Sequence, residues 1–191
     1  MGLGNSETRW GAVAKALHWT IALLIIGTSI FILHVNGSTW WFTSGPKIFI
    51  TYIHWHKAAG LIALVLILVR IWWRLRQTVP QTAQLTVWEK LWSHRVHIAL
   101  YGFMLIVPIT GWLASSFFGS GTKFWGLFEI PSPLPKSKTG VAVFYWGHFL
   151  VAWTLLILIT GHIGMALYHH FVRRDATLRA MLPGGAAKES E

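Results

Sequence analysis

Four apolar segments, each long enough to cross a lipid bilayer, constrain this chain more than any other feature. They run from about Lys15 to Val35, from Ile53 to Trp73, from His97 to Phe118 and from Val143 to Val172. A spanning helix needs about 20 mostly apolar residues. Inside lipid every backbone N–H and C=O must be satisfied within the protein, which helices achieve segment by segment. The sequence therefore predicts an all-α integral membrane four-helix bundle.

The composition agrees with a small membrane protein rather than a soluble domain. Of 191 residues, 54% are hydrophobic and 12% are charged, and the mean hydropathy is +0.52. The formal net charge is +10, but the basic residues are scattered among apolar segments, so nucleic acid is not an expected partner. The chain has no cysteine, which excludes thiolate metal sites and iron–sulfur clusters.

Lysine and arginine are distributed unequally between the two sides of this topology. Most of them fall on the side of the termini and of the link between the second and third segments: Arg9, Lys15, Arg70, Arg74, Arg76, Lys90, Arg95, Arg173, Arg174, Arg179 and Lys188. The opposite side carries Lys47, Lys57, Lys123, Lys136 and Lys138. By the positive-inside rule, both termini are expected in the cytoplasm and the two remaining loops outside.

One domain accounts for almost the whole chain. Residues 1–182 form the predicted membrane domain, and residues 183–191 are expected to be a disordered tail. The outer loop from Gly119 to Gly140 is rich in Gly, Pro and Ser and is long for a simple connector, so it is either a binding segment or a plain exposed loop. Pro108 and Gly111 predict a kink in the third helix.

Two histidines on the fourth segment point the same way at different depths. His148 and His162 are separated by about four helical turns, which places them about 40° apart around the helix and about 21 Å apart along it. His18 enters the membrane from the inner side at about the depth of His162. His56 enters from the outer side at about the depth of His148. The sequence therefore predicts two imidazole pairs, stacked across the bilayer.

Paired imidazoles inside a membrane favour a haem. Intramembrane ionisable residues are costly and usually functional, and two facing imidazoles can supply both axial ligands of a b-type haem held between helices. The predicted cofactors are two haems b, with His18, His162, His56 and His148 as iron ligands. Two other interpretations are hydrogen-bonded packing histidines and a path for transition metals, but the spans offer few carboxylates or thioethers for such a path.

The residues alone leave some positions open. His54 and His56 point nearly opposite ways, so only one of them can ligate. His94 and His97, on the third helix, are rivals for the inner haem, or donors to a propionate or to a quinone carbonyl.

Three basic residues lie at haem level. Arg70 and Arg74 approach the inner haem, where either could clamp a propionate in bidentate fashion or act only as a topology-setting charge. Lys57, beside His56, is the equivalent candidate at the outer haem. Gly60 and Gly161 are expected to relieve crowding where a ring or a neighbouring helix comes close.

Several stretches resemble the bacterial cytochrome b561 family, which includes the di-haem superoxide oxidase of bacterial inner membranes. They are "ALHWTIALLI", "HKAAGLIALVLILVRIWWRL", "HRVHIALYGFMLIVPITGWL" and "WGHFLVAWTLLILITGHIGMALYHHFVRRDATLRAML", and together they reach from about Arg9 to Leu182. The resemblance implies four helices that bind two haems b. It implies His18 and His162 as ligands of the inner haem and His56 with His148 as ligands of the outer one, and so favours His56 over His54.

The resemblance also implies a function. The expected activity is electron transfer between a donor at the outer face and a membrane quinone, ubiquinone or another. The donor is expected to be superoxide or a periplasmic redox partner. With superoxide as the donor, the protein would be a superoxide:quinone oxidoreductase. The outer lysines would steer an anion such as superoxide. The alternative is a haem-bearing membrane anchor subunit of a separate dehydrogenase or hydrogenase. The expected location is the bacterial inner membrane, as a multi-pass protein in contact with lipid.

Overall fold

The computed structural model describes residues 2–37, 40–80 and 85–184, and the side chains of residues 36–48 lie outside that description. The predicted disordered tail falls outside the described residues from residue 185 onward, as does Lys188. The side chain of Lys47 is likewise not described.

Four long helices make up most of the chain. They are α1 (Ala12–Gly37), α2 (Trp40–Leu75), α3 (Val87–Phe118) and α4 (Lys138–Tyr168). A π-helical turn, His169–Arg173, extends α4, and a short helix α5 (Thr177–Met181) follows it. By length and composition, Ala12–Val35, Phe49–Leu75, Val87–Phe118 and Lys138–Arg173 can each span a membrane. The predicted four-helix membrane architecture is confirmed.

The helices extend beyond the predicted spans because their ends are capped. α3 begins at Val87 rather than near His97, since Thr86 and Glu89 form a reciprocal capping box at its start. It runs through Pro108 and ends at Gly119, whose left-handed conformation (φ 79°) suits glycine. At the start of α4 the side chain of Ser137 accepts a hydrogen bond from Gly140 N.

Helix packing is uneven around the bundle. α3 lies close to α4, α1 lies close to α2, and α2 also contacts α3, whereas α4 hardly approaches α1 or α2. A small apolar core of Ile21, Ala63 and Ile67 joins α1 and α2, with Met104 of α3 packed against it. Many large apolar side chains elsewhere are exposed, as expected of helices that face lipid. The sparse packing leaves room between α4 and the α1–α2 pair.

A small β-hairpin, which was not expected from the sequence, lies in the loop between α3 and α4. Its strands β1 (Thr122–Phe124) and β2 (Phe128–Ile130) are antiparallel, and Phe124 stacks on Phe128 with ring centroids 4.6 Å apart. Trp125 and Gly126 both have positive φ, 48° and 82°. Such a turn matches the twist of paired strands. The all-α assignment therefore holds for the spans but not for this loop.

The two ends of the bundle have different surfaces, here called the terminal face and the hairpin face. On the terminal face, Asn5 N donates to Gln77 Oε1 at 2.9 Å and Lys15 Nζ donates to Leu182 O at 3.0 Å. The N-terminal segment therefore meets the link between α2 and α3 on this face, and the C-terminal end of the described chain meets the start of α1. The hairpin face carries β1, β2 and the loop that leads to α4.

A buried histidine and a carboxylate fix the chain reversal after α4. His169 is 7% exposed, and its Nδ1 pairs with Asp175 Oδ2. Partial burial raises the pKa of Asp175, but hydrogen bonds from His169 and Thr177 outweigh it and hold the pKa below its usual range. Ionised Asp175 therefore stabilises the folded protein in full at pH values above the usual pKa of an aspartate. This stabilisation is lost as the pH falls through the lowered pKa.

Candidate functional site

The first imidazole pair joins α1 to α4 near the terminal face. The ring centroids of His18 and His162 are 6.3 Å apart, with 66° between the ring planes. His18 is half-buried. This pairing is the one expected from the depths of the two histidines in the membrane. We call it the terminal-side couple.

The second pair joins α2 to α4 nearer the hairpin face. The ring centroids of His56 and His148 are 6.1 Å apart, with 77° between the ring planes. His56 Nδ1 is buried and makes no hydrogen bond among the described residues. We call this pair the hairpin-side couple. Because α4 contributes to both couples, one helix fixes their relative depth.

The spacing of the rings in both couples suits one metal ion bound from opposite sides. A metal–imidazole bond of about 2 Å, added to the distance of about 1.1 Å from the nitrogen to the ring centre, places two such centroids about 6 Å apart. Each couple also bridges two helices that hardly approach each other. Facing imidazoles between separated helices fit a planar group that brings its own equatorial ligands, and haem is such a group.

His148 is oriented for ligation by contacts with α3. Its Nδ1–H donates to Val107 O at 2.9 Å, which leaves the Nε2 lone pair for a metal. A Cβ added at Gly111 would stand 2.9 Å from His148 Cε1 and 3.0 Å from His148 Nδ1. Glycine is therefore required at position 111 for the ring to lie where it does. From the sequence, Gly111 was expected only to contribute to a kink, and nothing in its local sequence indicates this contact.

Gly60 and Gly161 behave differently from Gly111. An added Cβ at either position would meet no heavy atom within 4 Å. The expectation that they relieve crowding against a neighbouring helix is therefore wrong, because no helix of the described chain reaches them. Their role next to a bound ring stays a prediction.

An apolar cavity of about 300 Å³ adjoins His56. It lies between α1, α2 and the hairpin, and Gly27, Phe31, Ala59 and Trp125 are among the residues that line it. A Cβ added at Gly27 would meet nothing within 4 Å. The space beside His56 is open and lined almost entirely by apolar groups, which suits a flat hydrophobic group.

The structure separates the rival histidines. His97 lies with its ring centroid 5.3 Å from that of His162, and its Nδ1–H donates to Ser93 O at 2.6 Å. His94 is exposed at the start of α3. On α2, His54 Nδ1 accepts a hydrogen bond from Lys123 N at 3.2 Å, on the hairpin. The geometry thus brings His56, and not His54, to His148, and it makes His97 a third imidazole beside the terminal-side couple.

Arg70 contacts three groups near the terminal-side couple. Its Nε donates to Tyr101 Oη at 3.0 Å and its Nη1 to Ala14 O at 3.3 Å, while its Nη2 lies 3.1 Å from His18 Nδ1. The hydrogen bonds to Tyr101 Oη and Ala14 O use two of the five N–H donors of the guanidinium, so other donors remain for a further acceptor. A fixed positive charge therefore lies against the ring of His18. The role of Arg70 as a propionate clamp stays a prediction.

Arg74 lies on the same aromatic ring as Arg70. Its guanidinium carbon is 5.8 Å from the centroid of Tyr101, and that of Arg70 is 5.9 Å from it. The side chain of Arg74 makes no hydrogen bond within the part of the chain that the structure describes. Of the two arginines, Arg74 has more donors available for an anionic group.

Lys57 ties α2 to the hairpin face. Its ammonium donates to Ser115 Oγ at 3.1 Å, to Ser120 Oγ at 3.0 Å and to Gly121 O. These contacts use its three N–H donors. Lys57 therefore holds the end of α3 and the start of the hairpin above His56, a role that its neighbouring position in the sequence did not reveal.

Comparison with known proteins gives consistent results. Residues 9–184 match the family model described as prokaryotic cytochrome b561. Cytochrome b561 homolog 2 of Escherichia coli (strain K12) is 27% identical over 188 residues, which are 95% of this chain and 95% of that protein. Cytochrome b561 homolog 1 of the same organism is 27% identical over 170 residues, 87% of this chain and 93% of that protein.

Proposed function

The chain belongs to the prokaryotic cytochrome b561 family, and on that premise we propose that it is a two-haem protein that exchanges electrons between a donor at the hairpin face and a membrane quinone. The family places it among membrane proteins that bind haem b and transfer electrons. The two-haem arrangement, the ligands and the redox partners are our proposal. We assign His18 and His162 to one haem, and His56 and His148 to the other.

The observation that carries this proposal is the presence of two equivalent imidazole couples on one helix. Centroid separations of 6.3 and 6.1 Å recur at two depths of α4. A hydrogen-bonded packing role would not require the same ring spacing twice. Nor would it require α4 to stand apart from both α1 and α2.

The residues of the chain supply ligation, orientation and charge. Haem b, when bound, supplies a reversible one-electron iron centre. The hydrogen bond from His148 to Val107 O fixes the tautomer of its ring. Arg70 and Arg74 place positive charge at the terminal-side couple, where propionate carboxylates would be neutralised. The apolar helices exclude water from both couples, which strengthens every local electrostatic interaction.

The orientation in the membrane is also part of the proposal. Most Lys and Arg residues lie on the terminal face, so we place both termini in the cytoplasm and the hairpin on the outer side of the bacterial inner membrane. The donor at the hairpin face is proposed to be superoxide.

Exposed lysines on the hairpin face are expected to steer this anion. Lys123, Lys136 and Lys138 are exposed, whereas Lys57 is half-buried in its hydrogen bonds. Changing the three exposed lysines together to Gln should slow superoxide-driven haem reduction about threefold to tenfold and flatten its dependence on ionic strength. Stopped-flow absorbance measures both quantities. The same charge loss on the terminal face, R76Q with K90Q and R95Q, is the control, and equal rates for the two triple variants would refute steering.

The main alternative is a haem-bearing anchor subunit for a separate dehydrogenase. Stopped-flow mixing of the purified chain with superoxide, and separately with a reduced quinol, distinguishes the two. Our proposal expects superoxide to reduce the haems and an oxidised quinone to reoxidise them without another protein. Absence of both reactions, together with a stable partner that carries its own redox centre, would favour the anchor.

A further inference from the structure

The C-terminal segment connects the two helices that carry the terminal-side couple. This segment, residues 169–182, comprises the π-helical turn, the reversal at Arg174 and α5, and we call it the C-terminal clasp. It begins where α4 ends, about two helical turns beyond His162, and it ends against α1. Because α1 and α4 hardly approach each other directly, the clasp is a bridge between them on the terminal face.

The start of the clasp is fixed to the end of α4. Both oxygens of Asp175 are used: Oδ2 pairs with His169 Nδ1, and Oδ1 accepts from Thr177 N at 2.8 Å. Asp175 N also donates to His169 O at 3.1 Å. Arg174, between them, is in the left-handed region at φ 55°, which an arginine adopts only when its surroundings hold it there. The carboxylate thus sets the direction in which α5 leaves α4.

The end of the clasp is fixed to α1 beside His18. Trp19 Nε1 donates to Met181 O at 2.8 Å, and Lys15 Nζ donates to Leu182 O at 3.0 Å. The ring of Trp19 meets that of His18 edge-on, with centroids 5.2 Å apart. His18 also meets Arg70, whose Nη2 lies 3.1 Å from His18 Nδ1. The His18 imidazole therefore contacts one group from α2 and one group that the clasp anchors.

We propose that the C-terminal clasp positions the terminal-side haem site, by setting the separation of α1 and α4 and by fixing Trp19 against the ring of His18. The inference rests on the proposed function, because it takes His18 and His162 as ligands of one haem. Trp19 and Asp175 act as positioning residues through the ligands.

The hairpin-side couple provides an internal control. Its His148 is held by Val107 and Gly111 of α3, and the described contacts of the clasp lie at the other end of the bundle. A change in the clasp should therefore alter one haem and leave the other unchanged. A general loss of stability would disturb both.

The first test is W19F, which keeps an aromatic ring beside His18 and removes the N–H that bonds to Met181. Electron paramagnetic resonance of the oxidised protein reports the relative orientation of axial imidazoles, and a redox titration reports each haem's midpoint potential. H162A and H148A assign the two components. We expect the terminal-side component to shift in both measurements while the hairpin-side component stays fixed. The matched control is W153F, since Trp153 is 43% exposed on α4.

The second test is D175A, with the exposed E129A of the hairpin as its control. It should shift the same component, because it releases α5 from α4. The proposal would be overturned if the resonance signal and midpoint potential of the terminal-side haem were unchanged in both W19F and D175A. Equal shifts of both haems would overturn it too. A wild-type protein without two bis-imidazole components would instead overturn the proposed function on which it rests.

Discussion

H148A is expected to lower the haem content of the purified protein from two haems b per chain to one, and H162A is expected to do the same at the other site. Each change removes one of two protein ligands from a single haem and leaves the other couple intact. The alpha band of the reduced-minus-oxidised spectrum should lose a different component in each variant. The pyridine haemochrome assay, normalised to protein, measures the content.

H54A serves as the control for this series. His54 is two positions from His56 on the same helix, but it accepts a hydrogen bond from the hairpin rather than facing His148. It should retain both haems. A full haem complement in H148A, or the loss of a haem in H54A, would contradict the ligand assignment.

H97A tests the remaining rival, and retention of both haems there would confine His97 to an accessory role.

G111A is expected to weaken the hairpin-side haem site about tenfold to a hundredfold, which is the usual cost of disturbing a contact behind a metal-binding histidine. The added methyl would stand 2.9 Å from His148 Cε1, so the ring must move away from α3 and strain its hydrogen bond to Val107 O. The terminal-side haem should be unaffected. A haem titration monitored by absorbance measures the change.

G102A is the matched control for G111A. Gly102 lies on the same helix, and an added Cβ there would meet nothing within 4 Å. Both variants raise the helix propensity of α3 by the same amount, so only the steric effect on His148 differs. Equal haem affinities in the two variants would show that the close approach at Gly111 does not position the ligand.

The sequence was sufficient for the spans and for the depths of the histidines because both follow from fixed helix geometry. Apolar length identifies a span, and the rise and rotation per residue place His148 and His162 on one side of α4. The pairing of His18 with His162, and of His56 with His148, then follows from depth. The structure brings each pair to about 6 Å, which no measure of composition would give.

Contacts between distant segments were not predictable in the same way. The close contact between Gly111 and the ring of His148 depends on how near α4 comes to α3, which local sequence does not encode. Lys57 was expected to face a haem or an anion, yet its ammonium is used by Ser115, Ser120 and Gly121. The hairpin was missed because its three-residue strands, Thr122–Phe124 and Phe128–Ile130, lie among turn-forming residues. Tertiary contacts decided each of these features.

The central claim is that two imidazole couples each hold one haem b, and the haem-to-protein ratio of the wild-type chain, measured together with its electron paramagnetic resonance spectrum, tests it most directly. We expect two haems per chain and two low-spin signals from iron with two imidazole ligands. One haem per chain, or a high-spin signal from iron with a single imidazole, would contradict it.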